Sequence, residues 1–240
     1  MNVLLTGVSK GLGLATAAKL LSMDHSVYGI SRSKTDGLTS LVQQYPNTLH
    51  LIEYDLADVD NIRQALIKDW IGFDTPIHGL VNNAALAYDD IITNLDVDAL
   101  EKMYRVNVFS PMVLTKFAIR HMLLHKVGGS IVHLSSVSAH TGYKGLAMYA
   151  STKGALEAFS KNTAREWGSK EIRSNCLVAG FMETEMSSSL SEEQTSRIYN
   201  RTSMKKAVDI DSVASTIAFL LSDEAGSITG QNVHVDNGTI

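Results

Sequence analysis

Short apolar runs alternate with segments of helical periodicity along the whole of this 240-residue chain. Residues 3–5, 26–30, 49–54, 77–81, 130–134, 172–178 and 232–235 read as strands. Between them, Leu12, Ala15, Leu20 and Leu21 recur near helical spacing, as do Ile62, Leu66 and Trp70. A long helical stretch runs from Leu95 to about His125, and another from Met148 to Trp167 with Leu156, Phe159 and Thr163 at i, i+3 and i+7. A helix over 212–221 precedes the last strand. Strands that alternate with helices imply a parallel sheet, because each parallel connection needs a crossover. Continuous apolar strands imply that both faces of that sheet are covered.

The expected fold is therefore α/β: a single-domain, doubly wound parallel sheet of about seven strands, Rossmann-like, with helices on both faces and right-handed crossovers. At roughly 150 residues per domain the length allows one domain, expected to span 1–240. Apolar residues at 45% against 19% charged exclude a disordered chain. The net charge of -4 gives no reason to expect a nucleic-acid partner. One cysteine, Cys176, excludes a disulfide scaffold. No apolar run approaches the ~20 residues that cross a bilayer, and residues 2–6 lack the basic and apolar regions of a signal peptide. We expect no membrane partner and a cytoplasmic location. The one polar break, 187–201, reads as a helical substrate lid extending to about 206.

The first strand runs into Thr6-Gly7-Val8-Ser9-Lys10-Gly11-Leu12-Gly13 at the opening of the first helix. Glycines there let the backbone turn sharply and approach a phosphate, and the N–H groups and dipole of a helix start bind the anion. The spacing G-x-x-x-G-x-G is neither the commoner G-x-G-x-x-G nor a Walker loop. The same residues spell G-x-S-x-G, so a hydrolase with Ser9 as nucleophile is a rival reading. No Asp or His is clearly assigned to it.

Tyr149 and Lys153 stand at i and i+4 on one helix face. An ammonium beside a phenol favours the phenolate, so we expect the Tyr149 pKa to be depressed. Such a phenol can donate or accept a proton. The strand 130–134 leads into Ser135 and Ser136, and ligands gather at the carboxyl ends of parallel strands. Ser136 is the candidate to bond a substrate oxygen; period-two alternation points Ser135 the other way. Asn107 is a mediocre helix former inside a long helix, which suggests a role.

Together these residues resemble the short-chain dehydrogenase/reductase superfamily over nearly the whole chain. The resemblance rests on the Thr6–Gly13 turn, Asp55, Asn82-Asn83-Ala84-Ala85, Asn107, Ser136 placed 13 positions before Tyr149, Lys153, and Gly230-Gln231 with Asp236. Within it, 179–186 look most like 3-oxoacyl-acyl-carrier-protein reductases. The resemblance implies hydride transfer between a carbonyl and a secondary alcohol, with a 3-oxoacyl thioester as one candidate substrate. It implies that Tyr149 is the general acid in reduction, that Lys153 lowers the Tyr149 pKa and holds the nicotinamide ribose, that Ser136 orients the carbonyl oxygen, and that Asn107 supports a water relay. Cofactor would lie along Gly7, Ser9, Lys10, Gly11, Leu12 and Gly13, then Arg32, Asp55, Leu56, Asn83, Ala84 and Ala85, then Gly180, Met182 and Thr184. Substrate would meet His140, Tyr143, Leu146, Phe181 and Met186, and the apolar members suggest something partly hydrophobic. Homologous assembly implies a homotetramer or homodimer through two long helices and the last strand. A non-catalytic NADP-sensing module is the third reading; loss of Tyr or Lys would mark it, and both are present. Ala179 stands where the family has proline, which leaves that loop less stiff.

Cofactor choice follows from charge. A carboxylate at the end of the second strand would bond the NAD ribose and repel a 2'-phosphate. Residues 29–33 carry no acid, whereas Arg32 offers a charge-assisted fork and Lys10 a second cation. NADP(H) is expected. His121 and His125 have a metal-ligand spacing but no third ligand, so we expect no metal. Lys126, Lys170 and Arg173 are candidates for a basic rim that receives an acyl-carrier protein or coenzyme A.

Overall fold

The structure, a computed structural model, describes residues 1–184 and 191–240. Seven parallel strands form one sheet in the order β3-β2-β1-β4-β5-β6-β7. They are β1 Asn2–Thr6, β2 Ser26–Ser31, β3 Leu49–Glu53, β4 Gly79–Asn82, β5 Gly129–Ser136, β6 Ile172–Ala179 and β7 Asn232–Val235. The order reverses between β1 and β4, so the crevice for a ligand opens there, beyond the carboxyl ends of the strands. The expected doubly wound architecture is the one observed.

Alternation along each strand feeds two cores. Val3, Leu5, Val27, Val81 and Val132 face α1 (Gly11–Ser22), α2 (Asp36–Gln44) and α7 (Ile210–Leu221). Leu4, Ile30, Leu80 and Ile131 face the opposite side, where Ile62, Leu66 and Ile67 pack with Leu114, Phe117 and Met122. Those come from a helix at Arg63–Ile71, with Ile62 at its N-cap, and from α4 (Ser110–His125). The helix at Arg63–Ile71 has wide turns: the Gly72 N–H donates to the Ile67 carbonyl, five residues back. Burial of these side chains, each worth roughly 1.5–3 kcal/mol, is the main force holding the layers together.

The long helix expected from Leu95 runs as α3 (Val97–Tyr104), a wide turn at Arg105–Phe109 and α4. Asp96 caps it, accepting from the Ala99 N–H at 3.0 Å. α5 (Ala147–Trp167) carries the tyrosine and lysine, and α6 (Glu192–Arg201) lies in the expected lid segment. A Ser191–Gln194 capping box starts α6. α2 has no counterpart among the expected elements, because only Leu38 and Leu41 of its nine residues are buried, with Val42 packed partly buried beside them.

Candidate active site

A cleft of about 540 Å³ opens where β1, β2, β4, β5 and β6 end, a size suited to a cofactor together with a small substrate. At one end its floor is backbone. The Thr6 hydroxyl accepts from the Asn83 and Ala84 N–H groups, both at 3.0 Å, and the Asn83 amide donates to the Thr6 carbonyl at 2.9 Å. These bonds join the ends of β1 and β4 across the point where the sheet order reverses. Gly7 takes φ +76°, a conformation that L side chains rarely adopt. At Gly13 a Cβ would lie 1.9 Å from the Gly7 carbonyl oxygen. The N-cap residue of α1, Lys10, does not cap it with its own side chain, and the first turn of α1 lines the cleft, where the N–H groups of a helix start favour an anion.

Gly7, Ser9, Lys10, Gly11, Leu12, Gly13, Arg32, Asp55, Leu56, Asn83, Ala84, Ala85, Gly180, Met182 and Thr184 all line this cleft. Asp55 is turned inward on its own loop, accepting from the Ala57 N–H at 2.9 Å. Lys34 pairs with Glu53 at 3.8 Å, whereas Arg32 has no ion-pair partner among the described residues. The Ser9 hydroxyl has no histidine or carboxylate partner among the described residues. Ser9 belongs to the glycine turn, and the hydrolase reading has no support.

The other end of the cleft is built from side chains. Ser136 is the last residue of β5, and its Oγ accepts from the Ser138 N–H at 3.2 Å and the Ser138 hydroxyl at 3.1 Å. Tyr149 and Lys153 enter from the first two turns of α5 and line the same cleft as the glycine turn. Lys153 Nζ donates to the Leu134 carbonyl at 2.7 Å and sits 5.4 Å from the centre of the Tyr149 ring. Tyr143, Leu146 and Phe181 lie on the wall at this end.

One electrostatic expectation is overturned. The Tyr149 phenol is raised from its ordinary value, by burial first and by the Asp89 carboxylate second. Lys153 is itself pushed down to about 8 by burial. Removing both groups from water favours their neutral forms, and this outweighs the attraction the spacing alone suggested. The phenol is therefore protonated throughout the neutral range.

Two expected site residues stand elsewhere. His140 turns away from the cleft: its Nε2 donates to Glu157 Oε1 at 2.9 Å, and its ring packs edge-on against His234 at 5.0 Å. A buried carboxylate attracts the imidazole more strongly than an apolar cleft does. Asn107 lies behind the wall in the wide turn, where it accepts from the Leu86 N–H at 2.8 Å and donates to the Leu86 carbonyl and to Thr152 Oγ1. Met186 lies outside the described residues. Asp89, Ser138 and Ile198 also line the cleft. No spacing singled them out, although Asp89 follows the Asn82–Ala85 motif closely.

The remaining candidates have structural work. His121 and His125 contact the Thr75 and Phe73 carbonyls, and the described residues contain no cluster able to hold a metal ion. Arg173 is not a free rim cation: it donates to the Ile228 and Ser222 carbonyls.

The family model described as enoyl-(acyl carrier protein) reductase, a short-chain dehydrogenase/reductase family, matches residues 7–239. The chain belongs to the short-chain dehydrogenase/reductase family. It is 33% identical to carbonyl reductase [NADPH] 2 of Sus scrofa over 99% of this chain and 96% of that one. It is 31% identical to a 3-oxoacyl-[acyl-carrier-protein] reductase of Salmonella typhimurium, over 98% of this chain and 95% of the other. A solved short-chain type dehydrogenase/reductase from Mycobacterium ulcerans superposes with a TM-score of 0.90 at 28% identity, covering 99% of this chain and 89% of that one. The chain is accordingly an oxidoreductase. No helix among the described residues is long and apolar enough to cross a membrane.

Proposed function

We propose that this enzyme interconverts a carbonyl and a secondary alcohol with NADP(H). One observation carries the reading: the Tyr149–Lys153 pair and the glycine turn share one cleft. The residues present fit the cofactor. The Gly7–Gly13 approach leaves room only for backbone, α1 offers its N–H groups to phosphate, and Arg32 stands where an acid would exclude a 2'-phosphate. The NADPH named for the pig relative agrees. Asp55, Leu56, Asn83, Ala84 and Ala85 would hold the adenosine half, and Gly180, Met182 and Thr184 the nicotinamide half.

When bound, NADPH supplies a hydride for the carbonyl carbon. Tyr149, held protonated, gives its phenolic proton to the carbonyl oxygen, and the pair of transfers yields the alcohol. In oxidation the same oxygen takes the proton back. Ser136 hydrogen-bonds the substrate oxygen, which orients the carbonyl toward the phenol. Lys153 would hold the ribose, and Asn107, bonded to Thr152 behind the wall, would support resupply of the proton. The raised phenol is protonated at neutral pH, the form that the acid role in reduction requires.

The finer reading is a partly hydrophobic substrate such as a 3-oxoacyl thioester. The apolar Leu146 and Phe181 and the Salmonella relative support it; the engaged Arg173 speaks against a carrier docking on that rim. We read 1–240 as one catalytic domain whose lid includes α6, since Ile198 lines the cleft and Arg201 lies 5.5 Å from the centre of the Tyr143 ring. An assembly of two or four copies is supported by Phe109, 45% exposed just before α4, and Leu124, 59% exposed near its end, and light scattering tests it. A free, buried cysteine suits the cytoplasm.

The test is NADPH consumption with acetoacetyl-coenzyme A, 2,3-butanedione, keto sugars and quinones. Tyr149→Phe is expected to lower kcat on the best of these by about 10²–10⁴-fold with NADPH affinity retained. Turnover undiminished in that variant would reject the reading.

A further inference from the structure

α5 presents Tyr149, Lys153 and Glu157 at successive turns of one face. The first two face the cleft. Glu157 is 8% exposed, and a buried carboxylate persists only where donors surround it. Its donors come from three separate elements. Ser135, at the end of β5, donates its hydroxyl to Oε1. His140, just past the turn at Val137–Ala139, donates Nε2 to the same oxygen at 2.9 Å. Asn232, the first residue of β7, donates its amide to Oε2 at 2.7 Å.

The consequence falls on the neighbour. Ser135 and Ser136 point to opposite sides of the strand, so fixing Ser135 sets the rotation of the backbone that carries Ser136. Ser136 needs such a hold because it is the last residue of β5 paired with β6, opposite Ala179. We propose that Glu157 is a positioning residue for the reaction: it fixes Ser136 against Tyr149 by tying the outlet of β5 to the helix that bears Tyr149 and Lys153. The inference rests on the reading of Ser136 and Tyr149 given above. It also assigns His140 a place: that side chain braces the exit turn and does not meet substrate.

The experiment is a double-mutant cycle of Glu157→Leu with Ser136→Ala, assayed with NADPH on acetoacetyl-coenzyme A and 2,3-butanedione, with NADPH affinity read by fluorescence titration. Glu157→Leu is expected to lower kcat about 10- to 100-fold with NADPH Kd changed less than about twofold. In the Ser136→Ala background the same substitution is expected to change kcat less than about twofold, because the group it acts through is gone. Glu157→Gln keeps an acceptor toward Ser135 and His140 and is expected to recover turnover to within about fivefold of the native chain. Unchanged kcat, an equal loss in both backgrounds, or a Kd that weakens in step with kcat would each overturn the proposal. If the leucine variant does not fold, the cycle is run with Glu157→Gln, whose loss must vanish in the Ser136→Ala background. If Ser136→Ala is too slow to follow, the split between kcat and Kd in the native background decides. Tyr149→Phe is run alongside: if it turns over normally, the reading of the site is wrong whatever Glu157 does. If it is inactive and the cycle is additive, only the positioning role fails.

Discussion

At the glycine end of the cleft the walls are main chain: Gly7 and Gly13 bring β1 and α1 so close that a Cβ at residue 13 would overlap the Gly7 carbonyl. At the Tyr149 end the walls are side chains that hold one another, Ser138 to Ser136, Glu157 to Ser135 and His140, Lys153 to the Leu134 carbonyl. Backbone walls recognise what every dinucleotide shares, a phosphate and its charge. Side-chain walls can be varied one residue at a time, which is how one fold serves many substrates. The first end should therefore fail abruptly when altered and the second by degrees.

The sharpest way to break the contrast is Gly13→Ala. One methyl group must displace either Gly7 or the start of α1, both of which form the phosphate site. We expect NADPH affinity to fall about 100-fold or more and the unfolding free energy to drop by about 1–3 kcal/mol, the scale of overpacking. Fluorescence titration and urea unfolding measure the two. An alanine variant that binds NADPH normally would mean that the main chain at this end is not held as described.

Arg32→Glu probes the same end through charge. It puts a carboxylate at the tip of β2, where it repels a 2'-phosphate and accepts from a ribose hydroxyl. The ratio of kcat/KM for NADPH over NADH is expected to fall about 10- to 100-fold, the worth of a charge-assisted fork. An unchanged ratio would remove Arg32 from cofactor choice.

The same division decided what could be read from the amino acids alone. The glycine turn, the seven strands and the Tyr149–Lys153 spacing are local patterns, and a local pattern carries its geometry with it. α2 escaped because two buried leucines in nine residues make too faint a stripe. His140 was expected at the cleft because it lies between Ser136 and Tyr149 in sequence; its direction depends on Glu157, seventeen residues on. Asp89 and Ile198 reach the cleft only once loops and lid are folded over it. The phenol shift reversed for the same reason: spacing reveals the neighbouring ammonium, but burial is a property of the whole fold.

Lys153→Met sharpens the comparison by separating what the catalytic end does for chemistry from what it does for stability. Lys153 is 3% exposed, and burial has pushed it from 10.5 to about 8. Below pH 8 the folded chain carries a buried ammonium that the unfolded chain would hydrate, and a gap of this size corresponds to about 3 kcal/mol against folding. Between pH 8 and 10.5 the unfolded chain binds more protons than the folded one, so native stability rises with pH across that window. A methionine of similar reach removes the charge but also leaves the Leu134 carbonyl without its donor, a loss of about 1 kcal/mol. The variant is therefore expected to be more stable than the native chain by about 1–2 kcal/mol at pH 7, with the margin shrinking as the pH approaches 10. Tyr149, raised from its ordinary value, disfavours the folded state only above pH 10 and does so in both chains. Its reductase turnover should nonetheless fall, since the ribose loses its donor. Urea unfolding at pH 7 and pH 10 decides: a methionine variant no more stable at pH 7, or equally favoured at both, would show that the lysine rests in this site at no penalty, and that the side-chain end of the cleft is less strained than its burial implies.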